Sequence, residues 1–92
     1  MSKATVRIPT PLRPMTGGAD EVEVVGATVQ EALNDLGEKH QGLLPKVIGT
    51  NGKVRSFVNV YLGSRNIKAL GGLGAELKDG DILAIVPAVA GG

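Results

Sequence analysis

The chain has 92 residues, ten Lys and Arg against nine Asp and Glu for a formal charge of +1, and a 42% hydrophobic share. This length suits one domain with a compact core, the near-zero charge gives no electrostatic footprint for nucleic acid, and the apolar share argues against disorder. Cysteine is absent, which excludes disulfides, thiolate metal sites and thiol nucleophiles.

Residues 4–8 alternate apolar and polar, the period of a half-buried strand, with Val6 and Ile8 facing the core. Pro9 and Pro11 close it, and a turn-rich connection over 10–20 carries Pro14 and the pair Gly17 and Gly18, where glycine permits a positive φ. Residues 21–25 alternate again, so the two strands read as an antiparallel hairpin. Thr28 and Glu31 have capping-box spacing, which starts a helix. Val29, Ala32, Leu33 and Leu36 then form one apolar stripe for the sheet, while Gln30, Glu31, Asn34 and Asp35 face water. The helix is expected to pass Gly37, reach His40 and stop at Gly42. Residues 43–52 lack a period and read as a connection with a short helical turn near Pro45. Residues 56–62 are rich in β-branched and aromatic side chains and read as a central strand. A short edge strand is expected at 67–70, a single helical turn at 73–77, and a tight turn at 78–81 around Gly80. The last strand, 82–86, is apolar on both faces, as in a strand placed centrally, and Pro87 ends its pairing. The order β, β, α, β, β, β predicts an α+β roll, a mixed sheet with one main helix across one face.

The polar residues offer little chemistry of their own. His40 is the only histidine and has no ligand partners at metal spacing, so no metal site is assigned. Asp79 and Asp81 flank Gly80 and read as turn residues. Gly52 and Lys53 lack the rest of a phosphate loop, and the glycines at 72 and 74 lack the final glycine of a dinucleotide fingerprint. Lys53, Arg55, Arg65 and Lys68 read first as scattered solvated charges, with a basic surface for docking an acidic partner as the alternative. One helix covers only one sheet face, however, so apolar strand residues on the other face must be exposed or meet a partner. Alternation sets Ala84 and Val86 opposite Leu83 and Ile85, and Pro9 and Leu62 are expected to join Val86 in a partner-docking face. No apolar run approaches the roughly 20 residues of a membrane span. Met1, Ser2 and Lys3 lead into a strand pattern and not a signal segment, so a cytoplasmic location is expected, with neither membrane nor nucleic acid as partner.

The end of the chain is the remaining candidate. Ala88, Val89, Ala90, Gly91 and Gly92 carry no side-chain charge, whereas a trailing terminus is usually polar. Two readings stand side by side: a frayed end, or a thin stalk that holds a reactive carboxylate for insertion into another protein's active site.

With the whole order laid out, the chain resembles the ubiquitin-like, β-grasp sulfur carriers of the MoaD/ThiS family, and within it the CysO-type carriers of cysteine biosynthesis. The residues that carry the likeness are Ile8-Pro9-Thr10, Leu12-Arg13-Pro14, Thr16-Gly17-Gly18 and Phe57-Val58-Asn59-Val60-Tyr61. They continue through Gly71-Gly72-Leu73 and Asp79-Gly80-Asp81 to Pro87-Ala88-Val89-Ala90-Gly91-Gly92, nearly the full length. The resemblance implies a β-grasp domain over 1–87 and a flexible diglycine tail over 88–92. It implies that an adenylating sulfurtransferase enzyme uses ATP to activate the Gly92 carboxylate, which becomes a thiocarboxylate, while Ala88, Val89, Ala90 and Gly91 thread into the partner. The carrier itself would bind no cofactor and act as a protein cosubstrate, not an enzyme. Its sulfur would pass to a pyridoxal-phosphate cysteine synthase, with a metalloprotease then freeing the product. The alternatives are the small subunit of molybdopterin synthase, with the large subunit as partner, and a ubiquitin-like modifier joined to lysines.

Overall fold

The expected hairpin is present as β1 (Ser2–Arg7) and β2 (Glu21–Gly26), paired antiparallel from Ser2 opposite Gly26 to Arg7 opposite Glu21. Its alternation buries Ala4, Val6, Val22 and Val24, and Ile8 continues the buried row. The connection is more ordered than its prolines and glycines suggest: Thr10–Thr16 is a 3-10 helix. Pro11 stands in the first turn, where a missing amide costs no hydrogen bond, and the Leu12 N–H donates to the Pro9 carbonyl at 2.9 Å. The buried Thr16 hydroxyl lies 3.0 and 2.8 Å from the Arg13 and Ala19 carbonyls, so its burial is satisfied. Gly17 and Gly18, at φ 67° and 92°, turn the chain back.

The capping box starts α1 (Val29–Lys39): the Glu31 N–H donates to the Thr28 hydroxyl at 3.3 Å. Glu31 reaches back to the Ala27 N–H, at 2.9 Å, one residue before the cap. Val29, Ala32, Leu33 and Leu36 are all buried, at about 1.5–3 kcal/mol for each valine or leucine. Close approach of helix and sheet requires Gly26, where a Cβ would lie 2.6 Å from the Ala32 backbone nitrogen. Asp35 departs from the solvent-facing expectation. Its carboxylate accepts the Val25 N–H at 3.0 Å and pairs with Lys39 at 3.0 Å, and Lys39 Nζ also donates to the Glu23 carbonyl at 2.7 Å. These contacts hold the Asp35 carboxyl below its usual pKa, the Val25 hydrogen bond first and Lys39 second. The helix passes Gly37 and ends at His40, whose N–H donates to the Leu36 carbonyl. The short turn expected near Pro45 is α2 (Leu44–Val47).

The structure, a computed structural model, describes residues 1–87. Its last three strands are β3 (Val58–Leu62), β4 (Arg65–Asn66) and β5 (Asp81–Pro87), and the sheet order is β2-β1-β5-β3-β4. The apolar last strand takes the middle place, parallel to β1 and antiparallel to β3. The turn before it fixes this register. Asp79 accepts the Lys3 N–H at 2.8 Å, Gly80, at φ 89°, donates its N–H to the Lys3 carbonyl at 2.9 Å, and Asp81 accepts the Lys78 N–H at 2.8 Å. Three other expectations are corrected. The 56–62 strand starts at Val58, because the Val58 N–H donates to the Arg55 carbonyl in a turn that leaves Phe57 54% exposed beside the Arg55 guanidinium. The 67–70 stretch is a 3-10 helix, Ile67–Leu70, capped by the Asn66 side chain accepting the Lys68 N–H at 3.0 Å, and the edge strand precedes it. The helical turn expected at 73–77 is a 3-10 turn at Gly72–Gly74. Among the described residues no helix is long and apolar enough to cross a membrane.

Candidate functional site

The middle strand β5 brings the chain to Pro87, opposite Val58, so Pro87 stands on a strand at the centre of the sheet order and not on an edge strand. Side chains alternate along β5. Leu83 and Ile85 are buried in the core, which leaves Ile82, Ala84 and Val86 on the outer face. Ile82 is 45% and Val86 40% exposed, and both are large apolar side chains that the fold leaves in water. Paired residues share a face, so Thr5 lies beside Ile82, Arg7 and Tyr61 flank Ala84, and Asn59 lies beside Val86. The result is an apolar stripe bordered by polar groups. On one border Arg7 and Glu21 stand 3.9 Å apart, both more than half exposed, a geometry worth little energy in water. On the other, Asn66 Nδ2 donates to Asn59 Oδ1 at 3.3 Å.

The three residues expected to share a docking face stand differently toward the outer face. Val86 is on it. Pro9 is half-buried and lies two residues past β1, whose pairing with β5 ends at Arg7 opposite Ala84, so strand register does not set it beside Val86. Leu62 is a correction: it lies directly opposite Leu83 and packs against the core, on the face turned away from Val86. Sequence alternation gives the parity of each strand but not the register between strands, and register decides which parities share a face. Ile82, Ala84 and Tyr61 replace it on the outer face. Ile82 and Ala84 were legible from the alternation that selected Val86. Ala88, Val89, Ala90, Gly91 and Gly92 lie outside the described residues.

The other polar candidates resolve into structural roles. His40 caps α1, and Asp79 and Asp81 bind backbone N–H groups of Lys3 and Lys78. Among the described residues no cluster of His, Asp or Glu could hold a metal ion, and every buried side-chain polar atom has a hydrogen-bond partner. The arrangement presents an apolar surface beside the exit of the last strand. It suits docking.

Comparison with known proteins gives a consistent picture. The ThiS family model matches residues 6–92. The sulfur carrier protein CysO of Mycobacterium tuberculosis is 40% identical over 90 residues, covering 96% of this chain and 97% of its own. In the crystal structure of the Amycolatopsis orientalis BexX/CysO complex, a chain superposes with a TM-score of 0.90 at 47% identity, over 97% of this chain and 99% of that one. The solution structure of small archaeal modifier protein 1 from Methanosarcina acetivorans gives a TM-score of 0.87 at 28% identity, over 100% of this chain and 98% of that one.

Proposed function

The chain belongs to the ThiS family of ubiquitin-like sulfur carriers, and from that premise we propose that it carries sulfur as a thiocarboxylate on Gly92 and donates it in cysteine biosynthesis. The observation that carries the reading is the family match, which runs from residue 6 through Gly92 and so includes the diglycine. The first division is between a β-grasp body, 1–87, and a tail, 88–92, that enters the partner. A carboxylate is a poor electrophile, so an adenylating enzyme uses ATP to form the acyl-adenylate at Gly92 with loss of pyrophosphate. A sulfur donor then attacks that carbonyl carbon and displaces AMP, leaving sulfur on the chain. Glycine suits both steps, because without a Cβ its backbone can enter a narrow active site. Five extended residues reach roughly 17 Å, enough for Gly92 to enter a buried site while the sheet stays outside. ATP and pyridoxal phosphate belong to the partner enzymes, and this chain is their protein cosubstrate.

The outer face, with Ile82, Ala84 and Val86, is the surface that these partners grip. A relative of CysO type found in complex with BexX supports a protein partner for this chain. Incubation with the adenylating enzyme, ATP and sulfide, read by intact mass, is expected to show one oxygen replaced by sulfur. An unchanged mass with an enzyme shown to be active on another carrier would overturn the proposal. The likeness to a small archaeal modifier protein favours a second reading, conjugation of Gly92 to lysines. It predicts diglycine remnants on lysines of other proteins in cell digests.

A further inference from the structure

The sheet has two long edges, and the fold treats them differently. On β2 the edge is closed by α1, since Asp35 accepts the Val25 N–H and Lys39 donates to the Glu23 carbonyl. On β3 it is not. The two residues of β4 pair only with Tyr61 and Leu62, after which the chain leaves the sheet in the 3-10 helix Ile67–Leu70. Residues 58–60 thus have no strand beside them on that side, although the Val58 N–H is taken by the Arg55 carbonyl, and a strand edge without a neighbour invites an extended segment.

Alongside this stretch runs a groove of about 420 Å³ floored by Val54, Val58, Val60, Ile67 and Leu73. Lys53 and Lys68 line it and also line a hollow of about 490 Å³ with Arg55, Asn51 and Ser56, so the two adjoin. Neither has an acidic lining residue. Among the described residues Lys53 and Lys68 are in no ion pair, whereas Arg55 Nε already donates to the Pro45 carbonyl. The groove is therefore apolar at one end and cationic at the other, on a molecule whose formal charge is only +1. Of the four positive charges that look scattered in sequence, Lys53, Arg55 and Lys68 line these two hollows and Arg65 does not.

We propose that this groove is a docking site, separate from the outer face, for an acidic extended peptide segment of a partner protein. Alternate side chains of such a segment would enter the apolar floor, as the two-residue period of a strand dictates. Carboxylates that follow them would meet Lys53 and Lys68, a complementarity that fixes direction along the groove. A phosphate backbone would satisfy the lysines and leave the apolar floor unfilled.

The test uses the full chain and fluorescein-labelled acetyl-Thr-Val-Thr-Val-Asp-Glu-Asp, with acetyl-Thr-Val-Thr-Val-Lys-Lys-Lys as control. Titration is expected to shift the amide resonances of Lys53, Val54, Ile67 and Lys68, with those of Ile82 and Val86 unmoved. The lysine peptide is expected to bind at least about tenfold more weakly, as is the acidic peptide to Lys53→Glu/Lys68→Glu, from the loss of two attractive contacts and their replacement by repulsion. Both lysines are exposed, so the variant keeps its fold, checked by unchanged β1 and β5 resonances. Equal binding of both peptides, shifts confined to the outer face or the β2 edge, or no saturable shift at millimolar peptide would each overturn the proposal. None of these outcomes involves Gly92, so the site can fail while the carrier reading stands.

Discussion

Replacing Val86 with Asp separates docking from folding. Val86 is 40% exposed, so only part of its side chain is removed from water by the fold. Complete burial of a valine is worth about 1.5 kcal/mol or somewhat more, and the buried part therefore contributes about 1 kcal/mol. The poorer strand propensity of aspartate adds up to about 1 kcal/mol. A total of about 1–2 kcal/mol lies within the usual stability of about 5–15 kcal/mol, so Val86→Asp should remain folded with a modestly lower midpoint in urea. In a complex that covers the outer face, the same carboxylate is taken out of water without a partner. That costs about 3 kcal/mol or more, and at about 1.4 kcal/mol per decade the affinity for the adenylating enzyme falls by about a hundredfold. Calorimetric titration of the enzyme with each variant measures it. Glu38→Lys, on exposed α1 across the core from this face, is the control and should bind as the wild type does. Binding of Val86→Asp within a fewfold of wild type would refute the assignment of the outer face.

Two further outcomes test the fold that presents the site. Gly26→Ala sets a Cβ 2.6 Å from the Ala32 nitrogen and 2.9 Å from the Glu31 carbonyl carbon. Backbone at the start of a helix cannot yield cheaply, so a loss at or above the usual overpacking cost of about 1–3 kcal/mol is expected in urea unfolding, and an unchanged midpoint would contradict this packing. Asp35 titrates below the usual aspartate value in the folded chain, so its contribution is present above the unfolded pKa and is lost as pH falls through the depressed folded one. Asp35→Asn keeps an acceptor for the Val25 N–H but not the charge. It should cost about 1 kcal/mol at neutral pH, and the gap to wild type should close as pH falls through that acidic range; a gap independent of pH would refute the pairing.

Much of this architecture was legible because its signals are local. The hairpin alternation, the Thr28 and Glu31 capping pair and the stripe from Val29 to Leu36 each act within a few residues, and each appears as read. The errors occur where distant pairing decides. Ile67–Leu70 is apolar enough for a strand, but the Asn66 side chain turns it into a 3-10 helix before it can pair. Thr10–Thr16 conceals two helical turns behind its prolines, of which Pro11 stands where a helix start tolerates the missing amide. Leu62 has the right chemistry for a docking face and the wrong register for it. Lys53 and Lys68 are fifteen positions apart, and only the departure of the chain from β4 sets them on one groove. The tail needed no fold to be noticed, since its composition alone distinguishes it.

The most direct test of the central claim is tandem mass spectrometry of the C-terminal peptide, isolated from cells without thiol reagents or added sulfide. A population in which one Gly92 oxygen is replaced by sulfur is expected, depleted when a cysteine-forming acceptor enzyme and its substrate are added. Gly92 found only as free carboxylate or in amide linkage to lysine, with no thiocarboxylate under sulfur-replete growth, would contradict it.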